Sequence, residues 1–305
     1  MKIALTGVSG FIGSHIARRA AARGDRIIGL VRESSVRAHV VPFVERFVVG
    51  DQADESVWSD LFDGADAVVH NSMDWQALRD PDLHDHLQRN LAASIQFLIA
   101  SRPRPFALIS SVAVHHDMRP RWQGEIDEDH PLRPSSMYGA CKAALEAHCW
   151  AEHYGGTHGP DNTPRHVVAL RPAAVYGPIM VPHHRSWSDN IFEAIKQGEA
   201  FDKPGGGKFV HVEDVADAVL ASLREPEASA QAFNLADCYA RWTDVAQFAA
   251  DALGTKAQIT HVSPEQPQNM FDPSAARTVL CVGLSRGHEG LREHMRHLAG
   301  AGVGA

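Results

Sequence analysis

The sequence predicts an α/β protein: a doubly wound parallel sheet with a smaller lobe intergrown toward the C-terminus. Three observations predict it. Short apolar runs rich in Val, Ile and Leu alternate with amphipathic stretches as far as Arg171, the pattern of strands buried on both faces between helices. The first run meets the first helix at a glycine turn, Thr6-Gly7-Val8-Ser9-Gly10-Phe11-Ile12-Gly13. After Arg171 the alternation breaks into loops and a Pro204-Gly205-Gly206-Gly207 stretch.

Taken in order, strands are expected at Ile3–Thr6, Arg26–Val31, Phe47–Val49, Ala67–His70, Ala107–Ser110 and Val167–Arg171. Helices are expected between them near Phe11–Ala22, Ser56–Leu61, Leu83–Ser101 and Met137–Tyr154. Right-handed crossovers then wind the sheet in both directions. Beyond Arg171 the pattern predicts a helix over Ser188–Gln197, a strand at Phe209–Val212 and a helix over Glu213–Leu223. Two more helices follow at Thr243–Leu253, with Thr243 as N-cap, and at His288–Leu298. Gly155–Arg165 reads as a surface insertion, and no internal repeat is present.

A chain of 305 residues can bury a full core in one large domain or two intergrown ones. Its 44% hydrophobic and 22% charged residues are ordinary for a soluble globular protein. A net charge of −8 argues against nucleic acid as a partner, since that would require a basic face. No apolar run approaches the ~18 residues of a membrane span, and Lys2-Ile3-Ala4-Leu5-Thr6 reads as a strand, not a secretory leader. Cys141, Cys149, Cys238 and Cys281 form no Cys-x-x-Cys, which suits reduced thiols in the cytoplasm. The 19 histidines include no His-Glu-x-x-His, so no metal is expected.

The glycine turn has the shape that accepts a dinucleotide pyrophosphate. Gly7 lets the chain turn sharply, Gly10 lets backbone N–H groups approach the phosphates, and Gly13 lets the helix pack close to the sheet. The helix N-terminus adds a favourable dipole. At the end of the second strand, an acidic residue would bind a ribose hydroxyl and an arginine a 2′-phosphate. The chain reads Val31-Arg32-Glu33-Ser34-Ser35-Val36-Arg37; Arg32 favours NADP, while Glu33 leaves NAD open. Asp51, after the third strand, is placed to accept a hydrogen bond from an adenine amine.

Tyr138-Gly139-Ala140-Cys141-Lys142 puts a phenol and an ammonium one helical turn apart. A phenol with its ordinary pKa of about 10 is too weakly acidic to serve as a base near neutrality. A neighbouring cation favours the phenolate. Ser111, at the end of the fifth strand, can donate a hydrogen bond to a reacting oxygen. Together these imply hydride chemistry at a secondary alcohol or ketone, with Tyr138 moving the proton.

These motifs, with Ser110-Ser111, Leu170-Arg171-Pro172-Ala173-Ala174-Val175-Tyr176-Gly177-Pro178 and Phe209-Val210-His211-Val212-Glu213-Asp214-Val215-Ala216, resemble the extended short-chain dehydrogenase/reductases. Within them the chain is most similar to the NAD(P)-dependent epimerase/dehydratase family, from residue 1 to about 255. The resemblance implies a Rossmann domain of residues 1–171 plus about 209–236, and a substrate lobe of about 172–208 plus 237–305. It implies cofactor contacts from Gly7, Gly10, Phe11, Ile12, Asp51, Asn90, Tyr138 and Lys142, and from the backbone between Pro172 and Val175. It also implies a Ser111–Tyr138–Lys142 triad, and a homodimer pairing through the tyrosine-bearing helix and its neighbour.

Departures from the family pattern narrow the expected substrate. Gly205-Gly206-Gly207-Lys208 stands where an arginine for a nucleotide diphosphate is usual, and Pro267-Gln268-Asn269-Met270-Phe271 lacks the second. Val112-Ala113 replaces the Asp-Glu pair of sugar 4,6-dehydratases. His70-Asn71-Ser72-Met73-Asp74-Trp75 is bulkier than usual and is expected at the cofactor edge or in the substrate pocket. His115, His116, His183 and His184 suit a hydroxylated or carboxylated small molecule, unless they are solvent-exposed loop residues. The sequence therefore points to a small polyhydroxylated, sugar-like substrate other than a nucleotide sugar. A nucleotide-sugar 4-epimerase with atypical phosphate contacts is the alternative, and a non-catalytic dinucleotide sensor is the alternative from another class.

Overall fold

The structure, a computed structural model, describes residues 1–115, 124–156, 163–182, 185–267 and 269–301. His116, His183, His184 and most of the expected surface insertion lie outside the described residues. The first six strands are β1 (Lys2–Thr6), β2 (Arg26–Val31), β3 (Arg46–Val49), β4 (Ala67–His70), β5 (Phe106–Ile109) and β6 (Val167–Pro172). After them come β7 (Ala174–Tyr176), β8 (Gly206–His211), β9 (Gln231–Leu235) and β10 (Cys238–Arg241). Seven of these strands form one parallel sheet in the order β3-β2-β1-β4-β5-β6-β9. The order reverses between β1 and β4, which opens a crevice beyond their C-terminal ends.

The helices are α1 (Phe11–Ala22), α2 (Trp58–Phe62), α3 (Trp75–Arg79), α4 (His84–His86), α5 (Ala93–Ala100) and α6 (Met137–Tyr154). They continue as α7 (Trp187–Lys196), α8 (Val212–Ser222), α9 (Trp242–Leu253), α10 (Ser274–Val279) and α11 (Gly287–Ala301). Ile16 of α1 and Val215 and Val219 of α8 fill one face of the sheet with Ile3, Leu5 and Val69. Trp58, Phe97 and Leu145 from α2, α5 and α6 fill the other with Ala4, Val68 and Phe106. No helix among the described residues is long and apolar enough to cross a membrane.

Three sequence expectations are revised by the structure. The strand assigned to residues 209–212 and to the Rossmann domain begins earlier, at Gly206, and lies in a separate three-stranded sheet, β10-β8-β7. There Phe209 packs with Phe192, Phe248 and Met295 into a core belonging to the lobe. The long helix expected over Leu83–Ser101 is interrupted by a π turn at Leu87–Ala92, between α4 and α5. At α9 the N-cap is Arg241, whose main-chain N–H is held by Asp244 at 2.9 Å, while Thr243 lies buried inside the first turn.

Candidate active site

The crevice at the strand ends is a cleft of about 700 Å³. Gly7, Gly10, Phe11 and Ile12 line one side, Arg32 and Asp51 the far end, and Ser111, Tyr138, Lys142, Pro172 and Val175 the other. Gly7 adopts φ +67°, and a Cβ on Gly13 would stand 2.1 Å from the Gly7 carbonyl oxygen. That close approach seats the start of α1 directly on the turn. No side chain caps this end of α1, so its first N–H groups remain available to an anion. The Ser72 hydroxyl is buried on the same wall with no partner among the described residues. A bare helix N-terminus and an unspent hydroxyl in one elongated cleft fit a dinucleotide.

At the far end the Arg32 main-chain N–H donates to Ser35 Oγ at 3.1 Å, and both residues line the cleft. Asp51 is engaged within the protein: Oδ1 accepts from the Ala53 N–H at 2.9 Å, and Oδ2 pairs with Arg89 at 2.8 Å. Asn90, expected as a cofactor contact, is not among the residues that line the cleft. It is buried in the π turn, where Oδ1 accepts from the Asp74 and Gln52 nitrogens, and Nδ2 reaches the Asp74 carbonyl and the His86 ring. Its amide braces the Asp74 loop instead of facing the cleft.

Tyr138 and Lys142 share one face of α6, whose N-cap Ser136 accepts from the Gly139 N–H at 3.1 Å. Gly139 permits a second close approach, since a Cβ there would meet the Ala113 carbonyl oxygen at 2.1 Å. This sets the phenol and Ser111 in the same cleft, and Ser111 favours the phenolate. Burial outweighs it and pushes the phenol above its ordinary value. Burial thus opposes the ionised phenol that a neighbouring cation favours. The Lys142 ammonium is anchored on the Ile109 carbonyl at 2.7 Å and stands 6.0 Å from the Tyr138 ring centroid. Burial also pushes Lys142 down, to about 8.

Beneath the triad runs a buried ion pair. Arg171 Nη2 donates to Glu146 Oε2 at 2.7 Å, and the Ser110 hydroxyl donates to Glu146 Oε1. This ties the ends of β5 and β6 to α6. His70 is fully buried between Thr6 Oγ1 (3.0 Å) and Ser94 Oγ (2.9 Å) and is pushed down to about 3 by burial, so it stays neutral behind the cleft wall. The residues that follow it reach the cleft: Asn71 to Trp75 line it, and the Trp75 indole stacks on the Tyr138 ring. The unusual bulk of that stretch, Ser72 included, signalled this in the sequence.

A second cleft of about 490 Å³ opens between the turn after Ser111 and the lobe, lined by His115, Lys208, Tyr239, Gln266 and Asn269 among others. His115 is pushed down to about 4 by burial and by Arg171, so it enters the cleft neutral. Lys208 brings an ammonium to this wall.

A profile of the NAD dependent epimerase/dehydratase family matches residues 3–236. The chain belongs to that family. It is 32% identical over 199 residues to a dTDP-glucose 4,6-dehydratase of Streptomyces niveus, a match covering 60% of this chain and 56% of that protein. It is 29% identical over 252 residues to a UDP-glucose 4-epimerase of Mycolicibacterium smegmatis, covering 77% of each. Among solved structures, MoeE5 in complex with UDP-glucose and NAD superposes with a TM-score of 0.77 over 99% of both chains at 21% identity, a likeness of fold. The family is one of NAD-dependent epimerases and dehydratases, and this chain is an enzyme of that type.

Proposed function

We propose that this enzyme moves a hydride between a nicotinamide dinucleotide and a secondary alcohol or ketone on a sugar. The observation that carries the reading is that Ser111, Tyr138 and Lys142 line the same cleft as the glycine turn. Gly7, Gly10, Phe11 and Ile12 would hold the pyrophosphate, and Pro172 and Val175 the nicotinamide end. When bound, that group supplies the hydride acceptor or donor and, oxidised, a positive charge. Ser111 donates to the reacting oxygen. Tyr138 takes the hydroxyl proton and returns it in the reverse direction. Lys142, fixed on the Ile109 carbonyl, keeps a cation beside the phenol and restrains α6 against β5.

For the substrate, the activities named for the relatives support a sugar carried on a nucleoside diphosphate. Lys208 as the charged wall of the second cleft favours a second reading, a smaller sugar-like molecule with one anionic group or none. The turn Val112–Val114 carries no carboxylate, which disfavours 4,6-dehydration under either reading. For the cofactor we propose NADP, on Arg32 and Ser35 at the cleft's end, although MoeE5 holds NAD. A homodimer through residues 84–100 and α6 is supported by exposed Leu87 and Ile99.

The test is a turnover screen with UDP-glucose, UDP-glucuronate, dTDP-glucose and free sugars, each with NAD⁺ and NADP⁺. Products would be separated chromatographically and nicotinamide absorbance followed. Epimer formation or net reduction of the dinucleotide is expected. A protein that binds dinucleotide yet turns over none of them would be a sensor. Arg32→Ala should weaken NADP binding about tenfold and change NAD binding less than about twofold. Equal losses would refute the NADP assignment.

A further inference from the structure

The turn after Ser111 uses its polar donors internally. The Ala113 N–H donates to Ser111 Oγ at 3.1 Å, the Val114 N–H to the Ser111 carbonyl at 3.2 Å and the His115 N–H to the Val112 carbonyl at 3.1 Å. His115 engages its ring as well. Arg171 Nη1 lies 3.3 Å from Nε2, and a guanidinium has only hydrogens to give, so Nε2 accepts and the proton sits on Nδ1. Nδ1 then donates to the Pro131 carbonyl at 3.3 Å. Both nitrogens face protein partners, and the imidazole meets the second cleft as carbon and C–H. Val112, Ala113, Ile126 and Phe271 line the cleft beside it, the last two buried in the core of the large sheet. The polar side chains come from the lobe, where Lys208 and Tyr239 are paired across β8 and β10. The Lys208 ammonium, 5.7 Å from the Phe271 ring centroid, marks where the apolar side ends.

We propose that this apolar side selects the group next to the reacting carbon: the substrate is a sugar whose neighbouring carbon bears a hydrocarbon group, most simply the methyl of a 6-deoxy sugar, in place of a hydroxymethyl or a carboxylate. The proposal rests on the hydride-transfer reading above and names its substrate class. Ser111 lines the main cleft and Val112 the second, so the two clefts adjoin at consecutive residues. A sugar with its reacting carbon at Ser111 sets the substituent of the next carbon against Val112, Ala113 and His115. A hydroxyl there gives up water and meets no side-chain partner, and a carboxylate gives up more. A methyl group has no such loss and gains contact. The ring hydroxyls then face the polar side chains of the lobe.

The test uses the full chain and three matched sugars: D-fucose (6-deoxygalactose), D-galactose and D-galacturonate, each free and as its UDP conjugate. The parent's kcat/KM for the methyl sugar should exceed that for the hydroxymethyl sugar about tenfold, and that for the carboxylate about a hundredfold. Tyr138→Phe loaded with dinucleotide should show the same order in Kd by calorimetry, with no chemistry involved. Val112→Thr puts a hydroxyl on the wall at nearly equal size. It should reduce the first ratio to about threefold or less and leave the dinucleotide Kd within about twofold. Equal constants for the three sugars, a preference for the carboxylate, or a ratio that Val112→Thr does not move would overturn the proposal. So would failure of Tyr138→Phe to bind either form of the methyl sugar at about 10 mM. If the parent turns over none of the sugars while Tyr138→Phe binds the methyl sugar with the expected preference, the hydride-transfer reading fails and the selecting wall stands.

Discussion

Replacing Glu146 with Ala should destabilise the enzyme by about 3 kcal/mol, the lower end of what breaking a buried ion pair costs. The Glu146 and Arg171 side chains are 0% and 3% exposed, so truncation leaves a guanidinium out of water without its partner. Arg171 loses the bonds to both carboxylate oxygens, and Ser110 loses its acceptor. It keeps the Glu128 carbonyl at 3.1 Å and the His115 ring at 3.3 Å. The Glu128 carboxylate also feels Arg171, which places the expectation at the lower end. At about 2 °C per kcal/mol for a chain of this size, the melting midpoint should fall by about 6 °C. Thermal and urea denaturation followed by circular dichroism would measure it, with Glu146→Met, Arg171→Met and the double Met variant completing a cycle. The double variant should return to within about 1 kcal/mol of the parent, because both charges are gone. A Glu146→Ala protein within 1 kcal/mol of the parent, or additive single variants, would refute the reasoning.

Three further outcomes are expected. Tyr138→Phe should lower kcat by about 10²–10⁴ and leave dinucleotide affinity unchanged, as single-turnover kinetics and calorimetry would report. Gly13→Ala should reduce dinucleotide affinity at least about tenfold, because its Cβ would lie 2.1 Å from the Gly7 carbonyl oxygen and force α1 off the turn; calorimetry that finds parental affinity would contradict this. Burial pushes Lys142 from 10.5 down to about 8, so between those values the unfolded chain holds this proton more firmly than the folded one. The lysine therefore makes stability rise with pH across that window, and the urea midpoints of the parent and Lys142→Met should converge as pH climbs through it. Parallel curves would count against the assignment.

The core sheet was legible because its strands are buried on both faces and read as unbroken apolar runs. β2 and β4 begin and end at the residues their runs suggest. β7, β9 and β10 were not legible. Ala174–Tyr176 is three residues long, Gln231–Leu235 opens on a polar residue, and Cys238–Arg241 mixes apolar and polar residues. Each is a strand by virtue of a distant partner, which no local window contains. At the site, one-turn spacing placed Tyr138 and Lys142 on a common face, yet spacing says nothing of where a long side chain ends. The Ile109 carbonyl decides that for Lys142. The bonds of the Asn90 amide were hidden for a similar reason. The π turn that turns it toward Asp74 leaves no mark in the apolar periodicity.

The main chain enters the lobe more than once. It leaves the large sheet after β6, returns with α8 and β9, and departs again into β10 and α9; α10 packs on the large sheet before α11 closes the lobe. The junctions at Pro172/Ala173, His211/Val212 and Leu235/Ala236 all fall on buried residues. Chimeras that graft this lobe onto a relative would need several cuts through solvent-free backbone. The second cleft is therefore more readily altered one side chain at a time than by exchanging modules.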